Sequence, residues 1–234
     1  MASFFPRYLL LNCIALLAVL LVTPLAWADD RDKANDLLRD ATITFNEFVA
    51  DPNMGWFRDN VKDARAVVIA PQVLKLGFIF GGSGGNAVVL AKDKQTGEWG
   101  YPAFYTAGAV TAGLQIGGEL TDVIMMVMTE SGMNALLSSK FQLGADASIA
   151  AGPVGTGSQV ATVDILQFSR AKGIYGGLTL EGAVITPRED LNAAFYGRIV
   201  DPVDILIRHT VTNPLADRLR AAVAKATLSR PVLH

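Results

Sequence analysis

Between Phe104 and Leu120 the chain alternates two kinds of side chain, and that alternation constrains the fold more than any other feature. The even positions Phe104, Thr106, Gly108, Val110, Ala112, Leu114, Ile116, Gly118 and Leu120 are mostly apolar. The odd positions Tyr105, Ala107, Ala109, Thr111, Gly113, Gln115, Gly117 and Glu119 are small or polar. A period of two is the pattern of a strand with one face buried. Thr111, Gln115 and Glu119 also fall four apart, as they would on a helix. The glycines in the same window would each cost a helix about 1 kcal/mol relative to alanine. The reading is therefore strand, with glycines at bends, bulges or close backbone approaches.

The flanks have a different period. From Asp29 to Ala50, Ala34, Leu37, Leu38, Ala41, Phe45, Phe48 and Val49 recur at three- and four-residue spacing, which predicts an amphipathic helix. Asp51-Pro52 ends it, because the residue before a proline is pushed out of helical geometry. Its polar face carries Arg31, Lys33 and Arg39 against Asp29, Asp30, Asp32, Asp36, Asp40 and Glu47. Interfacial membrane helices are usually basic, so this one is expected to lay its apolar face on the sheet. Asn53 to Asp63 reads as a second short helix, and Ala66 to Ala70 as an apolar strand stopped by Pro71. Leu76 to Phe80 and Ala87 to Ala91 read as strands joined by a glycine hairpin over Gly81 to Asn86. Thr129 to Ser139 predicts a helix, and Phe141 to Ala151 returns to alternation. Thr162 to Ser169 and Ile174 to Leu180 predict strands paired around Lys172-Gly173. Turn and short helix follow over Ile185 to Ala194, then helices over Pro202 to His209 and Pro214 to Thr227. The sum is one α+β domain: an antiparallel, barrel-like, glycine-rich sheet flanked by N- and C-terminal helices.

Mean hydropathy is +0.34, and part of the excess is N-terminal. Arg7 precedes an uncharged apolar run from Tyr8 to Val22, followed by Pro24 and Ala26-Trp27-Ala28. That is the layout of a signal peptide over residues 1–28, with the mature chain starting at Asp29. The competing reading, an uncleaved anchor, needs a span of about 20 residues, and the run is short for that. The expected location is the periplasm or another part of the envelope. Cys13 is the only cysteine and lies inside this segment, where Leu11-Asn12 do not fit a lipidation site. A mature chain without cysteine excludes thiol catalysis, disulfides and cysteine metal sites. The net charge of −2 gives no global attraction to nucleic acid or to anionic membranes.

Little in the sequence carries catalytic chemistry. Gly81-Gly82-Ser83-Gly84-Gly85 matches G-x-S-x-G, but a strand-like Ala87-Val88-Val89-Leu90 follows where a nucleophile elbow needs a helix. The histidines are His209 and the terminal His234, so no triad is expected, and the segment reads as a turn. Gly152-Pro153-Val154-Gly155-Thr156-Gly157 lacks the G-K-[ST] of a phosphate loop. Glu119, Asp122, Asp146, Asp164 and Glu181 sit among apolar or small residues. They suit turn caps and backbone hydrogen bonds better than paired acid–base work. No loop has the ligand spacing of a calcium site. No enzyme activity, metal or cofactor is expected.

Several motifs occur together in a known order. They are Trp99-Gly100-Tyr101-Pro102-Ala103-Phe104, then Gly113-Leu114-Gln115-Ile116-Gly117-Gly118-Glu119 with Asp122, and Leu143-Gly144-Ala145-Asp146-Ala147 leading to Gly152-Pro153-Val154-Gly155. The last runs from Ser169-Arg170-Ala171-Lys172-Gly173 to Leu180-Glu181-Gly182. The chain resembles the SYLF domain family over about residues 34–215, with the domain taken as 29–234. The resemblance implies binding to phosphoinositide membranes, as described for eukaryotic members, some of which bind actin. For an exported member it implies anionic phospholipid at a membrane surface; the export signal makes actin an unexpected partner, and the charge balance gives no reason to expect nucleic acid. Arg170 and Lys172, in the S-R-x-K-G motif beside a glycine, are the expected headgroup ligands, since two cations and free backbone N–H groups suit a phosphate. Lys75 and Lys140 join them if they lie near Arg170. The alternative is an envelope structural or stress protein acting through protein contacts.

Overall fold

The computed structural model describes residues 29–77, 80–112, 117–152, 163–171, 174–175 and 180–228. Residues 1–28 with Cys13, read above as a signal peptide, the glycine-rich run 153–157, residues 113–116 and Lys172-Gly173 lie outside them.

The first helix, α1, spans residues 29–50. Ala34, Leu38, Ala41, Phe45 and Phe48 are all buried, as their spacing requires. The acidic side faces solvent, where Lys33 pairs with Asp29 and Asp30, and Arg39 with Asp36. Asp51 turns the chain by accepting the N–H of Asn53, and α2 (Gly55–Asn60) follows between two short 3-10 turns. Phe57 of α2 meets Phe45 edge-to-face at 6.0 Å and Phe168 at 5.4 Å. Such pairs add about 0.5–1.5 kcal/mol beyond area burial.

Among the described residues one nine-stranded sheet carries the fold. Its strands are β1 (Ala66–Gly77), β2 (Phe80–Ala91), β3 (Ala103–Ala112), β4 (Gly117–Val127), β5 (Phe141–Gln142), β6 (Ile149–Ala151), β7 (Ile165–Ala171), β8 (Ile174–Tyr175) and β9 (Val184–Pro187). The order is β5-β9-β3-β2-β1-β4-β7-β6, with β8 on β7. Every pair is antiparallel except β6 with β7. The sheet curls into a half-barrel, and its two end strands, β5 and β6, follow one another in the chain.

Two cores result, one on each face of the sheet. The inner face holds Val68, Ala87, Val89, Tyr105, Val123 and Met125. It is plugged at one end by α3 (Glu130–Leu136) and α5 (Pro202–Leu206), through Met133, Leu136, Ile205 and Leu206. The outer face holds Val67, Ile69, Val88, Leu90, Phe104, Ile124 and Phe168. It is covered by α1, α2, α4 (Glu189–Tyr196) and α6 (Asp217–Leu228). Caps fix the short helices: Thr129 accepts the N–H of Gly132, and Asp201 that of Asp204. Among the described residues no helix is long and apolar enough to cross a membrane.

Two local expectations are corrected. Gly81 to Asn86 is not a hairpin turn but part of the continuous strand β2, paired with β1 on one side and β3 on the other. Glycine weakens a strand only modestly, and two neighbouring ladders outweigh that cost. Pro71 does not stop its strand either. β1 runs on to Gly77 through a bulge, where the register shifts between Ala70 and Val73 and Gln72 takes φ 53°. A bulge leaves residues out of the ladder, so the missing proline N–H loses no partner.

Candidate functional site

The bulge on β1 sets up the polar cluster that contains Arg170. Its Gln72 N–H points at Asp122 on the neighbouring strand and donates to Oδ1 at 3.1 Å. Asp122 and Arg170 are register partners on β4 and β7, and the guanidinium donates to Asp122 Oδ2 at 3.1 Å. It also donates to Glu47 near the end of α1 and lies 5.1 Å over the Phe48 ring. Arg170 is therefore mostly enclosed, with its side chain 15% exposed. It fastens α1 to the sheet at the line where the helical cover of the outer face ends.

Beyond that line no helix among the described residues covers the outer face. Leu74 and Leu120 are register partners on β1 and β4, and Leu76 lies opposite Gly118. These three leucines are 41%, 52% and 54% exposed, in the order Leu74, Leu120, Leu76. Beside them on the same face the register places Gly82, Gly84 and Gly108, which form a floor without side chains. The arrangement follows from strand alternation after the bulge: Leu74 and Leu76 are two apart and share a face. Sequence reasoning did not single out these leucines. The signal was an apolar pair two apart beside a glycine-rich neighbour, which also describes a buried strand.

The predicted cations do not form one patch. Lys75 faces Glu119 across β1 and β4. Glu119 and Asp122 are three apart on β4, so Lys75 and Arg170 point to opposite faces of the sheet. Lys140 is exposed in the link from α3 to β5, lining a polar hollow with Ser131, Asn134 and Asp146. Lys172 lies outside the described residues.

The carboxylates have structural partners. Asp146 Oδ2 accepts the N–H of Gln142 at 2.7 Å. Asp164 accepts from the Thr129 hydroxyl and from both the N–H and hydroxyl of Ser148. Those bonds hold its pKa below the ordinary carboxylate range, the Thr129 hydroxyl contributing most. Glu119 and Asp122 face opposite sides of the sheet, and Glu181 is exposed in a turn at the end of the β8–β9 link. Ser83 is buried mid-strand between Lys75 and Ala109, and His209, the histidine among the described residues, is paired with Asp93 instead. Among the described residues no group of three His, Cys, Asp or Glu side chains could hold a metal ion.

Comparison with known proteins places this geometry in context. The family described as "Ysc84: Las17-binding protein actin regulator" matches residues 108–226. Protein YSC84 of Saccharomyces cerevisiae is 30% identical over 167 residues, which cover 68% of this chain and 35% of that protein. LAS seventeen-binding protein 3 of the same species is 31% identical over 182 residues, 74% of this chain and 39% of that one. The human SH3 domain-containing YSC84-like protein 1 is 25% identical over 153 residues, 63% of this chain and 44% of that one. The chain thus spans less than half the length of the curated relatives it matches. No solved structure matches it.

Proposed function

The chain belongs to the Ysc84, or SYLF domain, family, and on that premise we propose that it is a non-enzymatic exported protein that attaches to an anionic phospholipid surface. The observation that carries this reading is the bare end of the outer face, with Leu74, Leu76 and Leu120 exposed beside a glycine floor. Fully burying a leucine is worth about 1.5–3 kcal/mol, so three half-exposed ones supply roughly 3 kcal/mol on entering an apolar phase. That alone gives weak, reversible attachment. Each lysine or arginine near an anionic surface adds about 1 kcal/mol. Lys172, two residues after Arg170 in the chain, is the cation proposed to supply it; Lys75 points to the other face of the sheet and does not contribute. Arg170 positions α1 beside the contact. The ligand is a phosphoinositide or another anionic phospholipid, and the location is the periplasm or envelope.

The test is vesicle co-sedimentation of the chain from Asp29. Neutral phosphatidylcholine vesicles are compared with vesicles containing phosphatidylglycerol, cardiolipin or a phosphoinositide, at low and high salt. Binding to the anionic vesicles, lost in Leu76→Asp/Leu120→Asp and reduced by salt, is expected. Absence of binding to every vesicle sinks the reading.

A second reading is favoured by the names of the family and of its yeast relative LAS seventeen-binding protein 3, which describe binding to a protein. In that reading the same leucines dock on a protein partner of the envelope. It predicts that the leucine variant loses a protein complex and that no vesicle is bound.

A further inference from the structure

At the opposite end of the sheet from these leucines, a cleft of about 810 Å³ opens between the start of β1, the β2–β3 link and the helices α3 and α5. That volume is in the range of small-molecule sites, which are about 300–1,000 Å³. Its apolar wall includes Met128, Met133, Leu137, Leu206 and Ile207. Its polar rim is built from Arg65, Lys92, Lys94 and His209 against Asp63, Asp93 and Glu130.

Formal charges on the rim nearly cancel, but hydrogen bonding does not. Glu130 is engaged by two cations, Arg65 Nη1 at 3.0 Å and Lys94 Nζ at 2.5 Å. Asp93 is engaged by the N–H groups of Gln95 and Thr96, the Thr96 hydroxyl and His209 Nε2 at 3.1 Å. Asp63 attracts Lys92 at longer range. A guanidinium has five N–H donors and an ammonium three, and the contacts described use only a few of them. Lys92 donates to the Lys62 carbonyl and lies 5.2 Å over the Trp99 ring. Burial pushes its pKa below that of a free lysine, which a neighbouring anion would reverse. The rim therefore offers surplus donors, and the floor offers apolar surface. The far wall is fixed: His209 bonds Asp93, and its ring stands where a Cβ on Gly100 would lie 2.9 Å away.

We propose that this cleft binds a single-chain amphipathic carboxylate, with the carboxylate at Lys92, Arg65 and Lys94 and the chain against the partly exposed Met128, Leu137 and Ile207. The site is independent of the leucine surface, and the two readings fail separately.

The experiment is calorimetric titration of the full chain with dodecanoate, kept below micelle formation, with tryptophan fluorescence as a second readout of Trp99. Dodecanol is the uncharged control. Saturable one-site binding is expected, weakened about tenfold or more for dodecanol and for Lys92→Gln, the usual size of a lost charge-assisted hydrogen bond. Ile207→Glu, at an exposed wall position, is expected to weaken it similarly without disturbing the core. Leu76→Asp/Leu120→Asp is expected to leave it unchanged. No saturable binding of dodecanoate overturns the proposal, as does equal affinity for dodecanol or unchanged affinity in both cleft variants. Vesicle binding without dodecanoate binding overturns this inference and leaves the surface reading standing.

Discussion

Replacing Arg170 with methionine separates a structural arginine from a ligand-binding one. Methionine keeps an unbranched apolar side chain at this position and removes the guanidinium and its charge. The loss has three parts. The guanidinium over the Phe48 ring is worth about 1 kcal/mol at a partly buried site. Glu47 is half exposed, so that pair contributes a few tenths of a kcal/mol. Asp122 is 24% exposed and keeps the Gln72 N–H as its described partner, so its loss is about 1 kcal/mol. Together Arg170→Met is expected to cost about 2 kcal/mol in urea unfolding at unchanged slope, or roughly 4–8 °C in Tm for a domain of this size. A double-mutant cycle with Asp122→Asn is expected to give a coupling of about 1 kcal/mol. Binding to anionic vesicles is expected to stay within about twofold of the parent, because the donors of Arg170 already serve protein carboxylates. A variant as stable as the parent to within about 0.5 kcal/mol, with vesicle binding down tenfold, refutes this reasoning and makes Arg170 a headgroup ligand.

Other perturbations test the fold around the site. Asn192 is fully buried, accepts the Phe104 N–H at 2.8 Å and donates to the Phe104 carbonyl at 3.1 Å. Asn192→Ala is expected to cost about 2–3 kcal/mol in urea unfolding, since it strands a buried donor. Gly132→Ala would put a Cβ 3.0 Å from Val127 Cγ1 and 3.1 Å from the Asp164 carbonyl oxygen, and should cost about 1–3 kcal/mol by overpacking. Asp164 has a folded pKa below its unfolded one, so its stabilisation is present above the unfolded value of about 4 and is lost as pH falls through the folded value. Thermal melts between pH 6 and pH 2 should therefore show a flatter acid limb for Asp164→Asn than for the parent, and parallel limbs would refute the assignment.

Local chemistry made much of this molecule legible before any tertiary information. The three- and four-residue spacing from Ala34 to Phe48 fixed both the first helix and the face it buries, because helical periodicity is a property of neighbours in the chain. Alternation marked β3 and the start of β4, and the ordered motifs from Trp99 to Gly182 marked the family. The acidic polar face of α1 was enough to dock it on the sheet rather than on a membrane.

What remained was decided by partners far away in sequence. Gly81 to Asn86 looks like a turn locally and is a strand only because β1 and β3 supply a ladder on each side. Pro71 reads as a stop and is carried by a bulge that also aims the Gln72 N–H at Asp122. Arg170 looks like a free cation in a basic motif, yet Glu47, 123 residues earlier, and Asp122, 48 residues earlier, already hold it. Leu120 stands in the apolar set of an alternating strand, yet it, Leu74 and Leu76 are exposed because the helical cover among the described residues ends at that arginine. Sequence alone determined the elements and their faces, since those depend on periodicity and steric preference within a few residues. Which faces were covered and which charges were used was left to the tertiary structure, because burial and ion pairing depend on what the rest of the chain brings alongside.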